Sequence, residues 1–376
     1  MDVNQPLALL GGLSPAVFMR RHWQKKPLLI RAAVADAASL LDRAGLFALA
    51  AQEQVESRLV SGASTGAGPW KLRHGPFVRR ALPALSRPGW TLLVQGVDLH
   101  LDAAHRLLNG FRFVPDARLD DVMVSYASDG GGVGPHVDSY DVFLLQLQGR
   151  RCWRIGRQKD LSLCDGMPLK ILRNFEPDQE FVLDAGDMLY LPPKYAHEGV
   201  ALGECMTLSV GFSAPARGDL AAELLQRLAQ DADEFVGERL YRDPAQPAVA
   251  DAGRIPQRML DFARDAVQEL ADQPRALGRA LGEYLTEPKA QVWFEPQPPD
   301  AGTDTGIRLD RKTRMMYDED HVYINGESFR AGGRDAALMR RLADDRHLPA
   351  TAHARASAAA RELLGEWGKA GWLHGT

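Results

Sequence analysis

The residues best suited to chemistry are a histidine and an aspartate that follow a glycine-rich stretch. Four glycines between positions 130 and 134 precede His136 and Asp138. We expect this pair to begin a strand, in which residues two apart point to the same face. His136 and Asp138 would then present an imidazole and a carboxylate together. Such a pair supplies two ligands of a 2-His-1-carboxylate site, which suits a non-haem Fe(II) oxygenase with open positions for substrate and oxygen.

The third ligand must be a histidine further along the chain, and His197 is the candidate. It lies just beyond Pro192 and Pro193, which end a buried strand that starts after the Gly186-Asp187 turn. Binding residues often gather at such strand ends. A single histidine there is usually structural, but together with the upstream pair it completes a set of three ligands.

A buried cation is predicted shortly after the first two ligands. Strand alternation places Arg151, Trp153 and Ile155 on one face. A cation on the inward face of a small barrel is costly unless an anion pairs with it. Guanidinium is suited to bidentate carboxylate binding, so Arg151 is a candidate for holding an anionic cosubstrate. An ion pair with an Asp or Glu of the protein itself agrees with the spacing equally well.

Two further groups of residues are candidates for ligand contacts. Thr207, Ser209 and Gly211 form the small, polar face of an alternating strand, and such a face inside a barrel suits hydrogen bonding to a small ligand.

Tyr126 and Tyr140 flank the metal residues in sequence. Their rings can enclose a guanidinium by cation–π contact, and simple packing at the barrel lip is the structural alternative. Carboxylates for the same substrate are offered by two aspartates, Asp129 and Asp141.

The elements that must position these residues indicate an α+β protein. Many short strands with Gly and Pro turns, from about residue 58 to 214, predict a double-stranded β-helix, a jelly roll of the cupin kind. Amphipathic helices follow, suited to a bundle or to a second copy of the chain. A hairpin and two helices then predict a winged-helix-like module. We therefore expect domains at residues 1–214, 215–290 and 291–376.

Bulk properties exclude several classes of protein. The chain of 376 residues has a formal net charge of −4, so no basic footprint points to direct nucleic-acid binding. Its three cysteines show no paired spacing, which indicates buried thiols in a reducing cytoplasm. No apolar run is long enough to span a bilayer, and we expect no signal peptide.

Several segments together resemble one family. Residues 13–28, 131–138, 149–154 and 186–199 are similar to the opening and core signatures of the JmjC-type ribosomal oxygenases, specifically the bacterial ribosomal-protein arginine hydroxylases. The match covers most of the chain. The combination is specific, whereas His-x-Asp alone is a weak signal.

The resemblance implies a function for the predicted site. It implies Fe(II) at His136, Asp138 and His197, with 2-oxoglutarate held by Arg151 and O2 as the oxidant. It also implies a helical dimerisation region, a C-terminal winged helix and, as substrate, an arginine side chain of large-subunit ribosomal protein sixteen. The chain departs from relatives in having Ala127 in place of Ser and Thr207 in place of Asn. Ser125, Thr207 and Ser209 are therefore the candidates for the remaining cosubstrate contacts.

Three alternatives remain open at this point. One is an enzyme with a different target, such as a histidyl side chain of another ribosomal protein. The second is a non-catalytic protein that uses the barrel and winged helix to dock on RNA or a partner. A cupin with Mn, Zn or Ni and isomerase chemistry is the third, although an inward Arg151 favours a carboxylate-bearing cosubstrate.

Overall fold

The structure is a computed structural model that describes residues 2–62, 69–296, 305–330 and 332–376. The chain divides into two compact units, Met1–Ala214 and Pro215–Thr376. In the described residues, no helix is long and apolar enough to cross a membrane.

Strands dominate the first unit. They are β1 (Leu28–Ile30), β2 (Ser57–Ser61), β3 (Lys71–His74), β4 (Trp90–Val94), β5 (Leu119–Ala127), β6 (Val142–Gly156), β7 (Gln179–Leu183), β8 (Met188–Leu191) and β9 (Ala196–Phe212). All pairings are antiparallel, in the order β1-β8-β6-β9-β5-β4-β2-β3, with β7 on β6. The helices of this unit are α1 (Pro15–Arg21), α2 (Arg43–Ala50) and α3 (Asp102–Asn109).

Side chains of the central strands divide between two faces. Val124, Tyr126 and Leu208 belong to the main hydrophobic core, which also includes Phe18 of α1. Each such buried apolar side chain contributes roughly 2 kcal/mol to folding. Directly paired residues share a face, so Ser125 and its partner Thr207 lie on the opposite side of the sheet. Strand alternation therefore separates a packed outer face from a polar inner one.

The long strands β6 and β9 are bent. Their register shifts between Gln146 and Gln148 and again between Gln148 and Arg150. Bulges of this kind bend a strand and re-aim its side chains. Gly149 permits the bend because it has a φ of +64° and a Cβ there would lie 2.2 Å from Glu204 O. The bend brings Arg151, in the second half of β6, into contact with Ser125 of β5.

The second unit is helical and then mixed. Its elements are α4 (Arg217–Gln230), α5 (Ala232–Val236), α6 (Gln257–Ala271), α7 (Pro274–Thr286), β10 (Ile307–Leu309), β11 (Met315–Tyr317), β12 (His321–Ile324), β13 (Glu327–Arg330), α8 (Gly333–Asp345), β14 (His347–Leu348), α9 (Ala350–His353), α10 (Ala358–Lys369) and β15 (Leu373–Gly375). Two three-stranded sheets form, β14-β10-β15 and β11-β12-β13. Leu342 and Trp367 are central to their shared core.

Candidate metal centre

The loop between β5 and β6 delivers the first two predicted ligands. A Cβ at Gly131 would lie 2.5 Å from Trp90 O, so the chain passes too close to β4 for any other residue there. The predicted strand at His136 is wrong, because pairing is reduced to a single bridge. In that bridge His136 N donates to His197 O at 3.0 Å and His197 N donates to His136 O at 2.9 Å. The bridge itself holds the two histidines side by side.

A second backbone contact joins Asp138 to the turn that precedes His197. Lys194 N, in the turn after β8, donates to Asp138 O at 2.7 Å. Asp138 is thus tied to the segment that leads into His197. These three backbone hydrogen bonds join the β5–β6 loop to the β8–β9 turn and the start of β9, which explains how residues distant in sequence converge.

His136, Asp138 and His197 form a group that could hold a metal ion. One ligand atom from each lies within 4.8 Å of the others. The ring centroids of the histidines are 4.2 Å apart, and His197 Nε2 is 3.6 Å from Asp138 Oδ2. His197 is buried, while the Asp138 side chain is 22% exposed. The group therefore opens to solvent on the Asp138 side.

Hydrogen bonds select the tautomer that metal binding requires. His136 Nδ1 lies 2.9 Å from Gly134 O, and His197 Nδ1 lies 3.0 Å from Tyr195 O. A carbonyl only accepts, so each Nδ1 carries the hydrogen and each Nε2 keeps a lone pair. Burial, with a smaller contribution from His136, lowers the pKa of His197 below its usual value of 6.5. The lowered pKa favours a neutral imidazole at His197, the form that binds metals.

Arg151 is buried on the inner face, as alternation predicts. It pairs across the sheet with Ala201 and is 5% exposed. Its Nη1 donates to Ser125 Oγ at 3.2 Å, whereas Nε and Nη2 have no hydrogen-bond partner. Among the described residues, no carboxylate forms an ion pair with this guanidinium. The ion-pair alternative raised by the sequence therefore does not account for Arg151.

The predicted polar face is present, with one residue that sequence reasoning missed. Thr207 Oγ1 donates to Gln146 Oε1 at 2.9 Å, so Gln146 of β6 continues the row that Ser125 and Thr207 begin. Ser209 lies next along β9 and is 8% exposed. The alternating pattern of β6 was the signal that could have identified Gln146. Ala127, at the end of the row, packs with Ala201 and Cys205.

Two of the predicted substrate contacts do not face the metal group. Tyr126 lies in the main core, 4.9 Å from the Trp90 ring centroid, and its hydroxyl donates to Glu204 at 2.7 Å. Asp141 is fully buried and accepts a hydrogen bond from the Tyr190 hydroxyl at 2.6 Å. Tyr126 belongs to the outer face of β5, and Asp141 already has hydrogen-bond partners inside the fold. Tyr126 and Tyr140 therefore do not form a paired aromatic clamp.

A third predicted contact, Asp129, is engaged in the loop. It is exposed, and its Oδ1 accepts a hydrogen bond from Gly203 N at 2.8 Å. This contact ties the glycine-rich loop to β9. The structure thus gives Asp129 a hydrogen-bond partner in the middle of β9.

Tyr140 has acidic neighbours that the sequence did not indicate. Burial, followed by Asp138, Asp121 and Asp120, raises the pKa of Tyr140 above its usual value. A Cβ at Gly211 would lie 3.5 Å from Asp121 Oδ1 and 4.0 Å from a ring carbon of Tyr140. Asp121 is 4% exposed and lies at the register irregularity of β5 between Leu119 and Val122. Its Oδ2 accepts hydrogen bonds from Gln95 Nε2 at 2.5 Å and from Gly96 N at 3.1 Å. Tyr140 and Asp121 thus lie around the same glycine.

The antiparallel barrel and its three candidate metal ligands indicate a protein of the JmjC/cupin class, and comparison with known protein families agrees. A JmjC domain model matches residues 106–220. A model described as a ROXA-like winged helix matches residues 269–374. The predicted fold class, a JmjC/cupin barrel followed by a winged helix, is confirmed.

Individual relatives are more specific. The chain is 34% identical over 330 residues to the "Ribosomal protein uL16 3-hydroxylase" of Escherichia coli, covering 85% of this chain and 86% of that protein. An X-ray structure of Escherichia coli YcfD is similar with a TM-score of 0.86 and 31% identity, over 97% of this chain and 98% of that chain. Another, YcfD "in complex with Cobalt and 2-oxoglutarate", has a TM-score of 0.81 and 30% identity over 96% and 97% of the two chains. The chain belongs to the JmjC-type bacterial ribosomal oxygenases, and the family recognised from the sequence is confirmed.

Proposed function

We propose that the protein is an Fe(II)- and 2-oxoglutarate-dependent hydroxylase that acts on an arginine side chain of ribosomal protein uL16. The observation that carries this proposal is the pairing of a three-ligand metal group with a buried arginine whose one edge has no partner. A relative named as a uL16 3-hydroxylase supports the substrate. A ribosomal substrate also implies a cytoplasmic location.

The donor set fits Fe(II). His136, Asp138 and His197 offer two imidazole nitrogens and one carboxylate, which leaves positions of the metal for other ligands. Each imidazole is oriented by a backbone carbonyl, and such outer contacts raise the affinity of a site for its metal. A similar structure that holds cobalt supports a divalent metal at this kind of site.

The unpartnered donors fit 2-oxoglutarate. Leaving a buried guanidinium without an anion costs several kcal/mol, so Arg151 is expected to meet a carboxylate when the protein is at work. When bound, the ferrous ion and 2-oxoglutarate activate O2, and the reaction yields succinate, carbon dioxide and a hydroxylated side chain. The residues of the chain hold these groups and exclude other reactions.

The surroundings of Tyr140 fit a cationic substrate. Its ring offers a face for a guanidinium, while Asp121 and Asp120 provide negative charge nearby. We propose that the Tyr140 ring contacts the target side chain and that Asp121, which is buried and holds Gln95 and Gly96 through its Oδ2, acts on that side chain through its negative charge. An acidic environment favours arginine over a neutral histidyl target.

Mass spectrometry of ribosomal proteins tests the proposed substrate. Deletion of the gene should remove an increase of about 16 Da, one added oxygen, from an arginine of uL16. The purified enzyme should restore the modification and release succinate in equal amount. Persistence of the modification in the deletion strain, or its loss from a histidine of another protein, would contradict the arginine assignment.

Replacing Asp121 by Asn should lower kcat/KM for a uL16 peptide by about tenfold, because losing one negative charge near the cationic target costs roughly 1–2 kcal/mol, while the Asn side-chain oxygen can still accept from Gln95 and Gly96. The KM for 2-oxoglutarate should stay within about twofold, since that ligand binds at Arg151. Asp129→Asn is the matched control, because Asp129 bonds Gly203 N instead. Equal effects of both substitutions on the peptide would rule out a specific role for Asp121.

The second unit suits a homodimer. Leu260, Ala263, Val267 and Ala271 follow one face of α6, and Val267 is 59% exposed. We propose that a second copy of the chain covers this stripe, and that residues 215–290 form the dimerisation region between the barrel and a winged-helix domain. Direct nucleic-acid binding is not part of the proposal.

Val267→Glu should convert the dimer to a monomer, because a buried unpaired carboxylate in the interface opposes association. Light scattering during size-exclusion chromatography measures the change, with circular dichroism to confirm folding. Asp265→Lys, on the opposite face of α6, should leave the dimer intact. A wild-type protein that elutes as a monomer at micromolar concentration would contradict the proposal.

A further inference from the structure

The two hydroxyls nearest Arg151 already have partners inside the protein. Ser125 Oγ accepts from Arg151 Nη1 at 3.2 Å and donates to Thr207 O at 3.3 Å. Thr207 Oγ1 donates to Gln146 Oε1 at 2.9 Å, and Gln146 Nε2 donates to Gln148 O at 2.9 Å. A hydroxyl has one hydrogen to give. In this arrangement neither hydroxyl has a hydrogen left for the carboxylate of a ligand.

The guanidinium is constrained on one side and open on the other. Nε–H and the Nη2–H beside it form one edge of the fork, which is the edge that grips a carboxylate with two parallel hydrogen bonds. Those are the two nitrogens of Arg151 without a partner, whereas Nη1, on the other side, is bonded to Ser125. Ser125 therefore bonds the guanidinium at Nη1 and leaves the Nε–Nη2 edge open for a carboxylate.

An aromatic ring limits the remaining freedom of this side chain. The Trp153 ring centroid lies 5.7 Å from Arg151 Cζ. The ring is itself confined, because it crosses β9 at Gly199, where an added Cβ would lie 2.7 Å from the indole. Trp153 thus limits the tilt of the guanidinium, while Ser125 limits its rotation about the long axis.

We propose that Ser125 is a positioning residue for cosubstrate selection. It holds Nη1 so that the Nε–Nη2 edge is presented for the distal carboxylate of a 2-oxo dicarboxylic acid, and it does not touch that acid itself. This inference rests on the proposed function and assigns Ser125 a role different from the direct contact expected from the sequence. Selection of a dicarboxylate over a monocarboxylate then depends on Ser125 through Arg151.

A comparison of two ligands tests the role of Ser125. The probes are 2-oxoglutarate and 2-oxovalerate, which has the same 2-oxo acid head and five carbons but a methyl group in place of the distal carboxylate. Calorimetric titration of the full-length protein loaded with Mn(II) measures binding without turnover. Ser125→Ala should weaken 2-oxoglutarate about tenfold, the usual cost of losing one hydrogen bond to a charged group. Binding of 2-oxovalerate should change by less than about twofold, because that ligand does not use Arg151.

Two further variants separate positioning from general structure. Ser125→Thr keeps the hydroxyl and should retain most of the wild-type affinity for 2-oxoglutarate. In an Arg151→Met background, Ser125→Ala should cause no additional loss, since its effect passes through the arginine.

Each other outcome has a distinct meaning. Equal weakening of both ligands by Ser125→Ala, unchanged binding of 2-oxoglutarate, or an additive loss in the double variant would overturn the positioning role while leaving the proposed function in place. Wild-type protein that binds no 2-oxoglutarate would overturn the proposed function, and this inference with it.

Discussion

Replacing His197 by Ala is expected to abolish metal-dependent succinate formation, with a loss of about 1000-fold or more in kcat. His197 is the buried member of the group, and its Nε2 lies 3.6 Å from Asp138 Oδ2. Two remaining ligands hold a divalent ion far less tightly than three, and the oxidative chemistry depends on that ion. Metal content of the purified variant and succinate release in the presence of a uL16 peptide measure the two effects.

The control for this substitution is a histidine elsewhere in the same unit. His74→Ala changes an exposed residue of β3 and should leave both metal content and turnover within about twofold. Excess Fe(II) should restore little activity to His197→Ala, because the carboxylate and one imidazole do not enclose the ion. A His197→Ala protein that retains stoichiometric iron and normal turnover would remove the basis of the proposed metal site.

The metal group was predictable because its signals are local. Glycines before His136 mark the loop that takes it out of regular pairing, and prolines before His197 mark the turn that places it at the start of β9. The same applies to Arg151, since a period of two in the sequence determines which face of a strand a residue occupies. The predicted strand at His136 failed, yet one bridge to His197 was enough to hold the ligands together.

The structure turns one predicted substrate residue away from the metal group for a physical reason. Tyr126, Asp129 and Asp141 were chosen because they are near the metal ligands in sequence, but adjacent residues of a strand, such as Ser125 and Tyr126, point in opposite directions. Tyr126 is one position from Ser125 and therefore faces the outer core. Asp121, which lies near Tyr140 at Gly211, is more distant in sequence and falls at a register irregularity of β5. Spatial neighbours across β5 and β9 depend on register, which the sequence alone does not specify.

The roles of the buried hydroxyls were also beyond the sequence. Residue type indicates that Ser125 and Thr207 can form hydrogen bonds, but not which hydrogen goes to which acceptor. That assignment depends on Gln146, whose carbonyl oxygen takes the Thr207 hydrogen, and on the bulges of β6 that bring Arg151 to Ser125. In the structure, Ser125 and Thr207 therefore belong to a hydrogen-bond network that contacts the Arg151 guanidinium.

Arg151→Met is expected to change function and stability in opposite directions. Met has a similar length without charge, so the KM for 2-oxoglutarate should rise about a hundredfold, since losing a bidentate charge-assisted contact costs roughly 3 kcal/mol. Metal content should be unaffected, because Arg151 is not among the three ligands. In the absence of 2-oxoglutarate the variant should be more stable than wild type by about 1–3 kcal/mol, because a buried cation without an anion is replaced by an apolar side chain. Chemical denaturation with and without 2-oxoglutarate measures the free energy of unfolding, and succinate release at varied 2-oxoglutarate measures the KM.

The neighbouring arginine provides the matched control. Arg150 is exposed on the outer face of β6, so Arg150→Met should alter neither the KM for 2-oxoglutarate nor the unliganded stability by a measurable amount. Saturating 2-oxoglutarate should stabilise the wild-type protein and the Arg150 variant alike, and the Arg151 variant much less. If Arg151→Met instead destabilised the unliganded protein by several kcal/mol, the guanidinium would have to be part of the folded core. Its open edge would then be no evidence for a carboxylate ligand.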